Sequence, residues 1–464
     1  MKKTILLILM GCMNATIKGQ CLSTMDCGYY HTVALKSNGT FWAWGSGGYG
    51  QLGNGSENDN VVQTQVGTAT NWQSVSSGGY FTLGVKNNGT LWAAGDNSTG
   101  QLGIGSTVIN SNVFVQVGTS TNWEQVACSS YFTLALKTNG TLWGWGQNDS
   151  FQLGDGTCCS NRLSPVQAGT AADWANVAAA SYGTGLAIKT NGTLWGWGLN
   201  AGLVGPSTVS AQQYPIQIGT DTDWLSIYTG VGHALALKTN HTLWSWGTGG
   251  QGQTGDNLSP SYFRDTPRQI GNDSWLTVAA GSRSSYGIKT DGTLWAWGEN
   301  DMSQLGDGTT TNRMQPVQIG TDNDWTSVSA GWKHAIALKS NGAMWAWGSN
   351  DYGQLGNGTT TATATPVYVT VAGCTLDTPE FERQQLVLSP NPATTEISFA
   401  YNGQEVVDGL VIYDMMGREV YKTHPIAGVS IQATLPVHQW QGGVYLLTLK
   451  SKGKTVVSKK FVKQ

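Results

Sequence analysis

Three histidines raise the first chemical question. His31, His233 and His334 each stand five residues before a lysine in a recurring stretch of sequence, so they hold equivalent places in three repeats. A trio of imidazoles is a familiar zinc donor set, but such a site needs every ligand at about 2.0–2.1 Å from one ion. The register argues against it: the same place holds Phe81, Phe132, Thr184 and Ser284 in the other repeats, and equivalent places in separate repeats lie apart. No metal site is expected. The lysines Lys36, Lys86, Lys137, Lys189, Lys238, Lys289 and Lys339 recur once per repeat beside a turn and read as solvated flanking residues. Gly45 to Gly50 spells G-x-G-x-x-G, yet no helix follows and no βαβ unit surrounds it, which removes the dinucleotide reading. Asp149, Asp155, Asp301, Asp307 and Asp351 offer oxygen ligands without the twelve-residue loop of a calcium hand. H-E-x-x-H, G-x-S-x-G and P-loop patterns are missing. The chain is therefore expected to be no enzyme and to hold no cofactor.

What positions these residues is a period. Close variants of L-K-x-N-G-T-L-W-x-W-G-x-N-x-x-x-Q-L-G-x-G occur seven times, their W-x-W pairs opened by Trp42, Trp92, Trp143, Trp195, Trp244, Trp295 and Trp345. A fixed period of this length with several strand signals and almost no helix signal marks a repeat architecture whose units cannot bury their apolar faces alone. In the third unit, Tyr131 to Lys137 reads as a half-buried strand, Asn139-Gly140 as a tight hairpin turn and Thr141 to Gly146 as the return strand. Trp143 and Trp145, two residues apart, share a face, and each indole buries on the order of 150–250 Å². Such pairs are expected to supply the apolar burial between neighbouring sheets. Asn38, Asn88, Asn139 and Asn191 fit N-x-T, but here Asn-Gly is a hairpin signal. A second tryptophan series, Trp72, Trp123, Trp174, Trp224, Trp275 and Trp325, precedes runs of small residues suited to a crowded axial strand; Leu22 takes that place in the first unit. The fold expected is all-β: a seven-bladed β-propeller over 21–373. Whether Pro366 to Thr370 closes the ring by pairing with blade 1 stays open.

Of the 464 residues only 11% are charged, while Gly (63) and Trp (21) are abundant, so solubility rests on uncharged polar side chains. Residues 21–373 hold 13 basic and 20 acidic side chains, and residues 388–464 hold 8 and 5. An acidic ring repels nucleic acid. Lys2 and Lys3 precede the apolar run Ile5 to Met10, too short to span a bilayer, which reads as a signal peptide over 1–20; a lipoprotein-type reading around Cys12 is the rival. Six cysteines remain, enough for disulfides in an exported protein, with no connectivity set by spacing.

G-x-x-H-x-x-A-L-K-x-N-G, W-x-W-G and Q-L-G-x-G together resemble the regulator-of-chromosome-condensation repeat across 21–373. The resemblance implies a seven-bladed propeller presenting loops to protein partners, and it does not imply nucleotide-exchange activity. Blade 4 (Gly202 to Gly205) and blade 5 (Gln253 to Gly255) depart from Q-L-G. After a linker at 374–386, residues 387–464 change pattern: Ser389 to Pro392, Tyr413 to Val420, Gly442 to Leu449 and Lys459 to Lys463 resemble the C-terminal sorting domain of the type IX secretion system. This implies a small C-terminal β-sandwich and recognition by the secretion machinery. Its expected signal residues are Tyr413, Asp414, Gly417, Arg418, Gly443, Tyr445, Lys459, Lys460, Phe461, Val462 and Lys463.

Departures from a repeat need a reason beyond folding. Ser56 to Asn60 is acidic, Thr157 to Arg162 contains Cys158 and Cys159, and Leu258 to Arg264 groups Tyr262, Phe263 and Arg264. Tyr49 and Tyr352 hold equivalent places in blades 1 and 7, which become neighbours on ring closure. Tyr and Arg are enriched at interface hot spots, so Tyr49, Tyr352, Tyr262, Phe263 and Arg264 are the candidates for binding a protein or a glycan. The expected function is a secreted or cell-surface, non-enzymatic protein-binding propeller with no membrane span in the mature chain. The rival readings are a carbohydrate-binding surface module and an enzyme with a site assembled across blades.

Overall fold

The computed structural model describes residues 21–205, 210–258, 263–371, 374, 386–390, 392–414, 418–423, 428–451 and 454–464. The signal-peptide residues, Tyr262 and Gly417 lie outside them. The chain divides into two compact units, residues 1–376 and 377–464.

The first unit is a ring of seven four-stranded antiparallel sheets, each an uninterrupted meander of consecutive strands. Blade 1 comprises Leu22–Cys27, His31–Lys36, Phe41–Gly45 and Asn60–Gln65. The first strand of every blade lines an axial cavity of about 480 Å³, walled by small residues such as Ala127, Ala178, Ala279 and Ser329. The meander sets two faces. The turn between first and second strands and the connection between third and fourth lie at one end of each sheet; the Asn-Gly hairpin and the link to the next blade lie at the other.

Blades join by one repeated contact. The second tryptophan of each W-x-W pair is fully buried against the preceding blade, and its Nε1 donates to a carbonyl in that blade's Q-L-G turn or its variant: Trp145 to Gln101, Trp197 to Gln152 and, in the blade 5 Q-T-G variant, Trp297 to Gln253, at 2.9–3.0 Å. The turn's glycine makes room for the ring, since a Cβ on Gly154 would come within 2.8 Å of Trp197 Nε1, at a φ of +68. In blade 4 the variant loop keeps the contact through Leu203, whose oxygen accepts from Trp246 at 3.0 Å.

Blade 2 breaks the pattern. Its W-x-W position is Trp92-Ala93-Ala94, and Phe114 from the fourth strand fills the missing indole's place, 5.0 Å from both Phe41 and Trp72 and against Gly53. The expectation of equal indole pairs needs a second correction: both rings of a pair face the preceding blade, but Trp42, Trp92, Trp143 and their equivalents are only half-buried. In six of them Nε1 donates to the Thr two residues earlier, as Trp143 does to Thr141 at 2.9 Å; Trp345 has Ala343 there and its Nε1 has no partner among the described residues.

The ring closes without exchanging a strand. Thr363–Val369, which contains most of the segment left open above, pairs with blade 7's own Met344–Gly348. Trp44 donates to Gln354 at 2.9 Å, Gly358 donates to Val61 at 3.0 Å, and a disulfide joins Cys21 to Cys374 across 353 residues of sequence. Cys374, expected at the head of the linker, is thus bonded to the ring.

The second unit holds two sheets around one apolar core. Leu386–Ser389, Glu396–Val407 and Gly428–Pro436 form one sheet; Glu419–Thr423, Gly409–Asp414, Gly443–Ser451 and Lys454–Lys463 form the other. Alternate residues point inward, as in Ile397, Phe399 and Tyr401 from one sheet and Tyr445, Leu447 and Leu449 from the other, the pattern of a sandwich.

Candidate protein-docking face

At the end of the ring where the first turn and the long connection of each blade meet, aromatic side chains form a continuous strip over blades 7, 1 and 2. Tyr352 packs 5.1 Å from Tyr30, Tyr30 lies 6.1 Å from Tyr80, and Tyr80 lies 4.8 Å from Tyr49. Tyr29 sits beside Trp332 at 4.3 Å, edge on, at the mouth of the axial channel, and its hydroxyl bonds Ser130. Tyr131 and Tyr182 stand at the corresponding turns of blades 3 and 4. The outer members stay in solvent: Tyr49 is 47% exposed, Tyr182 45% and Tyr131 40%. Burial raises the Tyr80 hydroxyl to about 12, helped by the neighbouring tyrosines, so Tyr80 is neutral at any physiological pH.

Tyr49 and Tyr352 do not touch; Tyr30 and Tyr80 stand between them. The sequence reading missed these two, together with Tyr29 and Trp332. Their signal lies in the two positions before the histidine register, where the repeats differ most: Tyr29-Tyr30, Gly79-Tyr80, Ser130-Tyr131, Ser282-Arg283 and Trp332-Lys333. Tyr131, expected to open a strand, precedes Phe132–Lys137 and projects into solvent.

Arg264 requires correction. It is 3% exposed and ion-paired with Asp256, with its Nη2 donating to Oδ1 at 3.2 Å. Arg162 with Asp155 and Arg313 with Asp307 form the equivalent pairs in blades 3 and 6, so Arg264 is part of the scaffold that holds the long connection. The same pairs occupy two carboxylates weighed above as calcium ligands. Phe263 is 64% exposed on the outermost strand of blade 5. Cys158 and Cys159 are joined to each other in the blade 3 connection, while Cys27 and Cys128 are free thiols that burial keeps protonated.

The histidines hold neighbouring blades together. His31 Nε2 lies 2.9 Å from Thr82 Oγ1, His233 Nε2 3.0 Å from Ser285 Oγ, and His334 Nε2 3.0 Å from Thr32 Oγ1. Each hydroxyl already donates to a backbone oxygen, of Gln51, Gln253 and Gln354, so each Nε2 must carry the proton. The bare Nδ1 atoms are buried without a partner among the described residues. Desolvation therefore drives the three imidazoles down to about 3. Asp26 performs a related task at the channel wall: it accepts from Ser77 N at 2.7 Å in blade 2 and from Ser329 Oγ at 3.3 Å in blade 7, and desolvation lifts its carboxyl to about 6. No group of three metal-ligating side chains lies together among the described residues.

The repeat lysines are not the solvated residues expected. Lys36, Lys137, Lys238 and Lys339 are buried, each ammonium lying over an indole: Lys36 is 3.5 Å from the Trp42 ring centre, and Lys137 is 4.0 Å from Trp143 and 4.6 Å from Trp123. Such contacts stabilise by about 0.5–2 kcal/mol each. Around the second half of the ring aspartates add ion pairs, as Asp221 and Asp223 do for Lys238 at 2.7 and 3.0 Å.

In the C-terminal unit Arg418 Nε donates to Asp414 at 2.7 Å, Lys450 reaches the Tyr413 hydroxyl at 3.2 Å, and Tyr445 stacks on Phe461 at 5.7 Å. Gly443 opens its strand opposite Lys463. Lys459 donates to the Leu386 oxygen at 2.9 Å, Lys460 is exposed, and Val462 is 39% exposed.

The RCC1-like domain pattern matches residues 125–400, and the regulator of chromosome condensation (RCC1) repeat matches 38–85 and 88–136. The secretion system C-terminal sorting domain matches 388–464. The chain is similar to the Ultraviolet-B receptor UVR8 of Arabidopsis thaliana, 29% identical over 309 residues, covering 64% of this chain and 69% of that protein. It is similar to the probable E3 ubiquitin-protein ligase HERC4 of Homo sapiens at 29% over 204 residues, 42% of this chain but only 19% of the larger protein. Among solved structures, human WBSCR16 superposes with a TM-score of 0.65 at 20% identity, over 73% of this chain and 96% of that one. Prp20p of Saccharomyces cerevisiae does so with 0.64 at 19%, over 78% and 90%. No helix among the described residues is long and apolar enough to cross a membrane. The sorting domain marks the chain for secretion or the cell surface, and the chain belongs to the RCC1-like domain family as a seven-bladed propeller with a secretion tail.

Proposed function

We propose that this protein is a non-enzymatic binding module that uses the loop face of its propeller to hold a protein partner outside the cell. The observation that supports this reading is the strip of tyrosines over blades 7, 1 and 2, rigid because its rings pack on one another and exposed along its outer side. Tyrosine supplies large contact area at low entropic cost and recurs at interface hot spots. Three histidines bridge blades, and Asp155, Asp256 and Asp307 hold arginines, so these groups serve the scaffold. The C-terminal domain engages the type IX secretion machinery, and the propeller is its cargo.

The test is cross-linking mass spectrometry with photo-reactive groups placed beside Tyr49 and Tyr352 on the exported protein, against the same group on the Asn-Gly face. One partner captured from the loop face and lost in Tyr49→Ala supports the reading. A glycan array signal abolished by Tyr49→Ala, with no protein capture, would replace it by the carbohydrate-binding alternative.

A further inference from the structure

The ring's acidic excess is not evenly placed. On the Asn-Gly face the seven repeat lysines meet seven aspartates in the hairpins and links, so that face is balanced. Several of these charges are paired directly, as in Lys189 with Asp173, Lys289 with Asp273 and Lys339 with Asp322. On the loop face ten carboxylates meet five cations. Three of the cations, Arg162, Arg264 and Arg313, are consumed by Asp155, Asp256 and Asp307. Lys333, beside Trp332, is held by Glu299 at 2.8 Å and Asp301 at 2.5 Å, and Arg283 leans on Glu299 at 3.9 Å. Glu57, Asp59, Asp149 and Asp351 remain exposed, with no cation within ion-pair distance among the described residues. Asp351 adjoins Tyr352 in sequence, and Asp149 stands in the blade 3 connection.

We infer that the partner of this face is cationic: a lysine- or arginine-rich protein segment that lies across the tyrosine strip and meets these carboxylates. The inference rests on the docking reading above and adds the partner's charge. Two independent features converge on it. Ring faces carrying negative quadrupoles attract ammonium and guanidinium groups, and a field of one sign at a rigid patch steers and selects partners of the opposite sign. The strip itself bears no cation that a bound segment would have to displace, because Lys333 points its ammonium at Glu299 and Asp301. An anionic partner would meet the Asp351 carboxylate beside Tyr352.

The experiment uses the whole exported chain and three fluorescein-labelled peptides of equal length: alternating lysine and serine, alternating glutamate and serine, and alternating glutamine and serine. Fluorescence anisotropy is expected to show binding of the lysine peptide alone, weakening as salt rises. Tyr49→Ala, Tyr352→Ala and Asp351→Asn, all at exposed positions, are each expected to weaken it about tenfold, the size of one lost hot-spot contact. A Glu124→Gln variant, on the first strand of blade 3 away from the strip, is expected to leave it unchanged. Equal binding of the glutamate peptide, or lysine-peptide binding that all three strip variants leave intact, overturns the inference. A neutral or acidic protein cross-linked at Tyr49 would overturn it while leaving the docking reading in place.

Discussion

Each of His31, His233 and His334 donates from Nε2 across a blade boundary and leaves Nδ1 bare inside the protein. Burial strips the charged form of its water, and an added proton would have no acceptor, so the imidazoles are depressed from the ordinary 6.5 to about 3. Above pH 6.5 the residues are neutral in folded and unfolded chains alike, and their contribution is fully present. As pH falls from 6.5 toward 3 the unfolded chain takes up protons first, so each histidine removes stability at about 1.4 kcal/mol per pH unit. Asp26 runs the other way: with its carboxyl raised from 3.8 to about 6, the folded ring is protonated first and gains stability as pH falls through that window. Three groups oppose one, so the urea midpoint is expected to drop between pH 7 and 4.5. Replacing His31 and His334 with glutamine should flatten that slope; an undiminished slope would show that the imidazoles titrate normally. The register of the histidines was legible from sequence, and so was their structural character. Their partners were not, because Thr82, Ser285 and Thr32 are 51, 52 and 302 residues away.

At the level of strands and blades, one joint is used around the ring: an indole seated on the neighbour's Q-L-G turn. It explains why W-x-W-G and Q-L-G recur together, since each is half of a contact completed by the next unit. Blade 2 shows that the joint asks for a filled volume more than for tryptophan, because Phe114 reaches in from a different strand. No local rule could place Phe114 there; the substitution is visible only when Ala94 and Phe114 are seen in one plane. Closure is the weakest point of any such ring, because the first and last blades have no peptide link. Here the disulfide Cys21–Cys374 supplies one. Constraining so long a segment is worth on the order of 2–5 kcal/mol, so the Cys21→Ser, Cys374→Ser double variant is expected to unfold at a lower temperature. Reductant should lower the wild-type midpoint to that of the variant. Equal midpoints for oxidised wild type and variant would mean that the Trp44–Gln354 joint closes the ring unaided.

The whole molecule is a propeller ring with a sorting domain attached. The last strand of the tail, Lys454–Lys463, lies at the edge of its sheet with Phe461 in the core and Lys460 outside it. Removing Lys459 to Gln464 is expected to retain the protein in the periplasm, measured by surface protease access in a host with the type IX system. Since that deletion also takes Phe461 from the core, Lys460→Ala is the companion variant: it leaves the core intact, and reduced surface display assigns the effect to recognition. Normal display of both variants would refute the role of the last strand. The ring's function is distributed differently. Its charge is balanced on one face and acidic on the other, and a net value for the chain hides both facts.

Sequence alone determined the number of blades, the strand order within each and the presence of a sorting tail, because all three are periodic or local: hairpin turns, alternation and tandem motifs act over a few residues. It also picked out Tyr49 and Tyr352 by comparing repeats. Tertiary structure decided what no period encodes. Closing the ring brings blade 7 against blade 1 and builds the Tyr352–Tyr30–Tyr80–Tyr49 strip from four separate turns. The same packing withdrew Arg264 and several repeat lysines from solvent, because a buried cation is tolerable only where a carboxylate or an indole face meets it: Asp256 from the blade 5 connection meets Arg264, and indoles from neighbouring strands and aspartates from the links meet the lysines.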